Sequence, residues 1–327
     1  MTQHILYLIV SLLWTNYSIA TESKPPHKKR RIAPLNITVV DSDKPPLLQY
    51  HNLSVVEDTV QLGSTTFPKI TFEYTDSLGS GTYATVFKGK IQTHSGEKKT
   101  IAVKSVTLNQ DLLPSIASEL HVLSLNIKGA VEFYGVSVMH GRIYFLLEKM
   151  GRSCHELKLP KNAKGLKIIQ QLARSSLQAL KNLHTRQLLH LDIKPSNLLL
   201  STETFSKTND WSVKLADFGC SRSLQTGENI NEFLGSFRYM SPERLKGETY
   251  SFLADIWSLG IALLEIALGK YPLTGKTFVE ILSEVEEIDF SSFKSQLTHT
   301  NTLLFEFLLA CLQKDRHQRA TCNELLT

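Results

Sequence analysis

The period of the apolar residues changes once along this chain, near Met150, and that change limits the folds open to it. Before it, Phe72 to Leu78, Thr85 to Gln92 and Thr100 to Val106 are short β-rich runs broken by glycine-rich turns. Two further apolar runs follow, Val131 to Val138 and Arg142 to Leu147. Between these groups Ile116, Leu120 and Leu123 recur at helical spacing within Ser115 to Leu125. After Met150 the helical period takes over. Ile168, Leu172, Ser176, Ala179, Leu180 and Leu183 line one face of a helix, and Trp257, Ile261, Leu264, Ile266 and Leu268 mark a nearly all-apolar second helix. A helix apolar all round is expected to be buried. Strands with one helix, then mostly helices, predict an α+β chain of two lobes, a small β-rich one over 69–150 and a mainly helical one over 151–327.

With 327 residues, 42% apolar and 20% charged, the chain has enough core for both. Residues 1–20 hold an apolar run, Ile5 to Trp14, and Ser18-Ile19-Ala20 resembles a signal-peptidase site. No lysine or arginine precedes that run, and it is too short to span a bilayer comfortably, so secretion or membrane attachment is the less favoured reading and a cytoplasmic or nuclear protein the expected one. A buried or frayed segment, or a misplaced start codon, is the plainer one. Residues 21–68 read as a linker with little periodicity. Much of the net charge of +5 sits there in Lys28-Lys29-Arg30-Arg31, so the folded part need not bind nucleic acid. Cys154, Cys220, Cys311 and Cys322 are scattered with no CxxC spacing, which reads as free thiols of an intracellular protein rather than a zinc site.

Five motifs carry chemistry. In Gly79-Ser80-Gly81-Thr82-Tyr83-Ala84, between two strands, glycines let backbone amides close over phosphates, and the following Val86 can pack on a nucleotide base. Ala102-Val103-Lys104 ends a strand with a lysine that can reach phosphates if a carboxylate holds it, and Glu119 on the next helix is the natural holder. In His190-Leu191-Asp192-Ile193-Lys194-Pro195-Ser196-Asn197, Asp192 can accept a hydroxyl proton, Lys194 can steady a γ-phosphate and Asn197 can bind a metal. Asp217-Phe218-Gly219 offers a carboxylate to Mg²⁺, and Ser241-Pro242-Glu243 precedes Asp255 and the late Arg319. Each motif alone has a bland reading, such as a β-turn, a surface ion pair or a chance triplet. All five in this order make coincidence negligible.

Over residues 72–327 the sequence resembles the eukaryotic protein kinases. The resemblance implies the bilobal kinase fold, with ATP between the lobes and Mg²⁺ on Asp217 and Asn197. It implies a catalytic set of Asp192, Lys194, Lys104 and Glu119, and a nucleotide pocket of Leu78, residues 79–84, Val86, Ala102, Leu147, Glu148, Met150 and Leu199. By the same resemblance Glu243 pairs with Arg319, and Asp255 braces the catalytic loop. Phe233 to Gly247, Ile193 to Leu198 and Lys214 to Gly219 look like MAP kinase kinases, which points to a MAP kinase as the protein substrate. That group carries a basic docking cluster followed by two alternate apolar residues, and Lys28, Lys29, Arg30 and Arg31 with Leu35 and Ile37 fit it. A nuclear-localisation run or a solvated charge cluster are the alternatives. His190-Leu191-Asp192 and Cys220-Ser221 also resemble the Mos kinases, one tier higher in such cascades. A pseudokinase scaffold typically lacks the strand lysine or one of the two aspartates, whereas Lys104, Asp192 and Asp217 are all kept here.

Control is where the sequence departs from the pattern. Kinases that carry Arg before the catalytic Asp pair it with a phosphate on the activation segment, and Leu191 cannot do so. Glu228 and Glu232 stand about where MAP kinase kinases have phosphorylatable residues, with Ser236 beyond them. The segment is one residue longer than the usual pattern, which makes the alignment firmer for Glu232. Two carboxylates in place of phosphates suggest mimicry, yet the expected cationic partner is missing; simple drift in a solvated loop is the rival reading.

Overall fold

The computed structural model describes residues 53–56, 59–62, 65–67, 70–81, 83–92, 97–201, 211–224, 232–297 and 302–327. The apolar segment 1–20, the docking motif at 28–37, Thr82 and Glu228 lie outside them.

Three short strands open the described chain: β1 (Leu53–Val56), β2 (Thr59–Leu62) and β3 (Thr65–Phe67), an antiparallel sheet in the order β1-β2-β3. They fall in the stretch expected as a linker. Val60 is fully buried and joins the main hydrophobic core. Strands of three or four residues are too short to show an alternating period in sequence, which is why this sheet was not legible there.

The first lobe is a five-stranded antiparallel sheet of β4 (Phe72–Ser80), β5 (Ala84–Gln92), β6 (Lys98–Thr107), β7 (Phe133–Met139) and β8 (Arg142–Glu148), ordered β4-β5-β6-β8-β7. On β6 the period of two decides the two faces. Ile101 and Val103 are buried with Ile91, Tyr144 and Leu146 on one side. Lys104 and Ala102 therefore share the opposite side. Helix α1 (Leu113–Ser124) starts with Pro114 in its first turn, where a missing N–H costs nothing, and buries Ile116, Leu120 and Leu123.

The second lobe is mainly helical, with α2 (Ala163–His184), α3 (Pro242–Leu245), α4 (Leu253–Leu268), α5 (Phe278–Glu287), α6 (Thr302–Cys311) and α7 (Cys322–Leu326). Asn162 caps α2, its side-chain oxygen accepting from the amides of Lys164 and Gly165. The apolar face expected on α2 is buried, and α4 is buried nearly all round, with Trp257 fully enclosed. The α+β bilobal class expected from the sequence is the class observed. No helix among the described residues is long and apolar enough to cross a membrane.

Short ladders set the loops that matter. β9 (Arg152–Ser153) pairs with β11 (Leu198–Leu200), which pairs with β12 (Val213–Leu215), while β10 (Leu188–Leu189) pairs with β13 (Arg222–Ser223). Residues 190–197 thus bridge β10 and β11, and Asp217 follows β12. The Ala216 amide donates to the Asn197 carbonyl at 3.0 Å, stitching the two loops together.

Candidate active site

Strand register places the first group. Val86 on β5, Lys104 on β6 and Phe145 on β8 are directly opposite one another, as are Ala102 and Leu147, so all five side chains lie on the face toward α1. From there Lys104 Nζ meets Glu119 Oε1 at 2.6 Å and Oε2 at 2.8 Å, and Asp217 Oδ1 at 2.8 Å. Burial works against the Lys104 charge, but the two carboxylates outweigh it and hold its pKa above the ordinary lysine value. Burial likewise opposes the Asp217 charge, and the Lys104 ammonium outweighs it, leaving that carboxyl below its usual range. The helix is tied to the same loop, because Ser118 Oγ on α1 donates to the Ser221 carbonyl at 2.6 Å.

The second group is built on the loop after β10. Asp192 is nearly buried, and its Oδ2 accepts from Lys194 Nζ at 2.7 Å and from Asn197 Nδ2 at 3.1 Å. Its Oδ1 accepts from the Ser236 amide at 2.8 Å, while Lys194 Nζ also donates to Ser236 Oγ at 2.9 Å. Asn197 spends its NH₂ on Asp192, donating to that residue's carbonyl as well at 2.8 Å.

This loop is bent, and its brace is visible. Leu191 and Asp217 both sit at φ +65°, a left-handed backbone that costs roughly 1–3 kcal/mol for residues with side chains and persists only where surroundings fix it. Fully buried Asp255, on α4, accepts from the amides of His190 and Leu191 at 2.9 Å each, and from His184 Nε2 at 2.9 Å. Burial opposes its charge, and the His184 contact more than offsets that, holding its pKa low. Glu243 and Arg319 form a buried two-pronged pair at 2.7 and 3.0 Å.

The rim completes the cleft. Among the described residues the surroundings do not require glycine at 79 and 81: a Cβ at Gly79 would meet nothing within 4 Å, and at Gly81 only the Ala84 carbonyl at 3.8 Å. Their bareness leaves room for something outside the chain to approach the backbone. Leu78 and Tyr83 are exposed, Met150 is buried and Leu199 is half-buried. Glu148 turns its carboxylate to Lys214 Nζ at 2.5 Å.

The protein kinase domain family matches residues 72–327. The chain belongs to that family. Among similar proteins are mitogen-activated protein kinase kinase 5 of Leishmania mexicana, 35% identical over 76% of this chain and 47% of its own length, and mitogen-activated protein kinase kinase 1 of Arabidopsis thaliana, 32% identical over 76% and 71%. The serine/threonine-protein kinase dst2 of Dictyostelium discoideum is 32% identical over 78% of this chain and 22% of its own. The chain thus spans about half the length of the first of these relatives and a fifth of the last.

The fold of a protein kinase implies ATP with Mg²⁺, and the residues present fit them. Lys104 is pinned between two carboxylates, and the Asp217 side chain is 46% exposed. With the Asn197 NH₂ spent, its amide oxygen is the atom left to offer a cation.

Two residues that sequence reasoning passed over hold residues 217–243 in place, Arg222 within that stretch and Arg244 just beyond it. Glu232 has a cationic partner after all: Arg222 Nε on β13 meets Glu232 Oε2 at 2.8 Å. Glu232 is held a second time, its carbonyl accepting from Tyr250 Oη at 3.0 Å. Buried Arg244 reaches the carbonyls of Leu191 and Leu234. Arg222 is placed by the pairing of β10 with β13, two residues on each strand and too short to show in the sequence. For Arg244 sequence carries no signal, because its partners are backbone atoms.

Proposed function

We propose that this chain is an ATP-dependent kinase that transfers the γ-phosphate to Ser or Thr of a protein substrate, and that the substrate is a MAP kinase. The observation that carries the transfer is the joining of Lys104 to both Glu119 and Asp217 beside an Asp192 whose carboxylate is already oriented by Lys194, Asn197 and Ser236. Asp192 receives the proton of the attacking hydroxyl. Lys194 offsets charge on the transferring phosphoryl, and Lys104 holds the α and β phosphates. Bound by Asp217 and the Asn197 oxygen, Mg²⁺ would supply the neutralising charge on the phosphates. Val86, Ala102, Leu147, Met150 and Leu199 provide the apolar walls for the base, and Gly79 to Ala84 the backbone over the phosphates. Leu78 flanks that wall.

Support for a MAP kinase substrate comes from the sequence of the substrate-facing segment and from two relatives named as MAP kinase kinases. The basic cluster Lys28 to Arg31 with Leu35 and Ile37 would dock that partner. Similar identity to dst2 leaves a Ser/Thr kinase of another tier as the second reading. Control is proposed to be independent of activation-segment phosphate. Glu232 bonds to Arg222 as a phosphate would, and Ser236 serves as a brace, since a phosphate there would stand beside Asp192 and repel it.

Radiolabelled transfer from Mg-ATP to a catalytically dead MAP kinase tests the reading. Incorporation that disappears in Asp192→Asn is expected. Nucleotide binding without any transfer would make the chain a pseudokinase scaffold, and transfer to other proteins but not to MAP kinases would move it to another tier.

A further inference from the structure

Arg244 follows Glu243 in α3 and is 3% exposed, an unusual place for a guanidinium. Its terminal nitrogens donate to backbone: Nη1 to the Leu191 carbonyl at 3.0 Å and Nη2 to the Leu234 carbonyl. The ring of Tyr250 lies under it at 5.1 Å, and Nε has no hydrogen-bond partner among the described residues. A buried cation carries a heavy desolvation cost, so a partly satisfied one asks for a reason beyond stability.

The two carbonyls supply that reason. Leu191 immediately precedes Asp192, and Leu234 lies two residues before Ser236, whose amide bonds to Asp192 Oδ1. Gly235, between them at φ +83°, passes so close that a Cβ there would collide with the Leu191 oxygen. Leu191 is therefore pinned at three points. Its amide goes to Asp255, its carbonyl to Arg244, and its side chain into a buried cluster with Leu189, Tyr250 and Ala254.

We propose that Arg244 is a positioning residue for phosphoryl transfer, joining the catalytic loop to the activation segment through two backbone carbonyls with no phosphate in the link. In a kinase with Arg at position 191 the loop itself would carry the cation, and a phosphate would complete the join. Here the cation comes from α3, and the loop contributes only a carbonyl. This assignment rests on the kinase reading above.

The test uses the full chain, Mg-ATP and two acceptors, a catalytically dead MAP kinase and myelin basic protein, with kcat and KM read on whichever takes phosphate. Arg244→Met is expected to lower kcat by about 100-fold while leaving the KM for ATP within about two-fold, because misplacing Asp192 by an ångström is costly and the nucleotide site is not touched. Arg244→Lys, able to hold one carbonyl, recovers part of the loss. Wild-type kcat in Arg244→Met would overturn the proposal. So would a fall in kcat matched by ATP affinity and melting temperature, with no recovery in the lysine variant. Should Arg244→Met not fold, hydrogen exchange on the wild-type chain decides: the Leu191, Asp192 and Ser236 amides should exchange slowly, to the same extent before and after phosphatase. Fast exchange, or exchange that phosphatase accelerates, contradicts the clamp. A wild-type chain that transfers nothing would refute the kinase reading instead, and the exchange measurement would still judge the clamp.

Discussion

Lys104 and Leu191 are fixed by opposite means. Around Lys104 the fixing is ionic, with one ammonium between two carboxylates drawn from α1 and from the loop after β12. Around Leu191 it is apolar packing plus hydrogen bonds to backbone atoms, with Asp255 and Arg244 as the charged groups that serve them. The difference follows from what each side must do. A group that is to hold phosphates has to keep a full charge within reach of the cleft, and partners must orient it without neutralising the site outright. A loop that only has to stay bent needs shape, and shape is held most cheaply by packing and by bonds to the peptide itself. A phosphate-gated kinase would place a free cation at position 191; this chain places a methyl-branched side chain there.

Breaking the ionic side should show the largest effect. Glu119→Gln leaves Lys104 with Asp217 as its one remaining carboxylate and free to swing toward it, so the largest change is loss of transfer, with a fall in urea stability at pH 7 below the about 3–5 kcal/mol of a fully unpaired buried charge. The apolar side gives a graded answer. Leu191→Ala should cost about 2–5 kcal/mol by opening a cavity, whereas Leu191→Met should stay under about 1.5 kcal/mol. Equal losses for the two variants would mean that packing is not what holds this loop.

Acid separates the sides further. Asp255 titrates below its usual value of 3.8 when folded, so the folded chain resists its protonation while the unfolded chain does not. Its contribution is fully present above that usual value and is lost as pH falls through the folded-state value. Urea midpoints taken between pH 6 and pH 3 should therefore drop on the acid limb, and the drop should be shallower in Asp255→Asn, whose stability is already lower at pH 6. The smallest effect belongs to the activation segment. Arg222 and Glu232 are partly exposed, and Glu232→Gln should change stability by no more than about 1 kcal/mol, less in high salt.

Much of this was legible in the sequence. The helix bearing Glu119 and the first long helix of the second lobe announce themselves through period, because each has one face in the core, and the second long helix through its nearly unbroken apolar run. The loops around Asp192 and Asp217 were legible through residue type and order. What stayed hidden depends on contacts that have no period. β1 to β3 are too short to alternate, although Val60 is wholly buried. The bond from Arg222 to Glu232 spans ten residues and depends on how the segment folds back. Arg244 acts on carbonyls, which every residue owns, so nothing in its partners' side chains could reveal it. Leu191 was visible as a departure from pattern, but only its two backbone hydrogen bonds and the packing of its side chain show that the loop is held in another way.

The most direct measurement is transfer by the full-length chain made in bacteria, before and after phosphatase, with the phosphate content of residues 217–243 read by mass spectrometry. The account predicts an unphosphorylated segment and the same kcat in both samples. A chain that is silent without phosphate and wakes when an upstream kinase modifies this segment would contradict it.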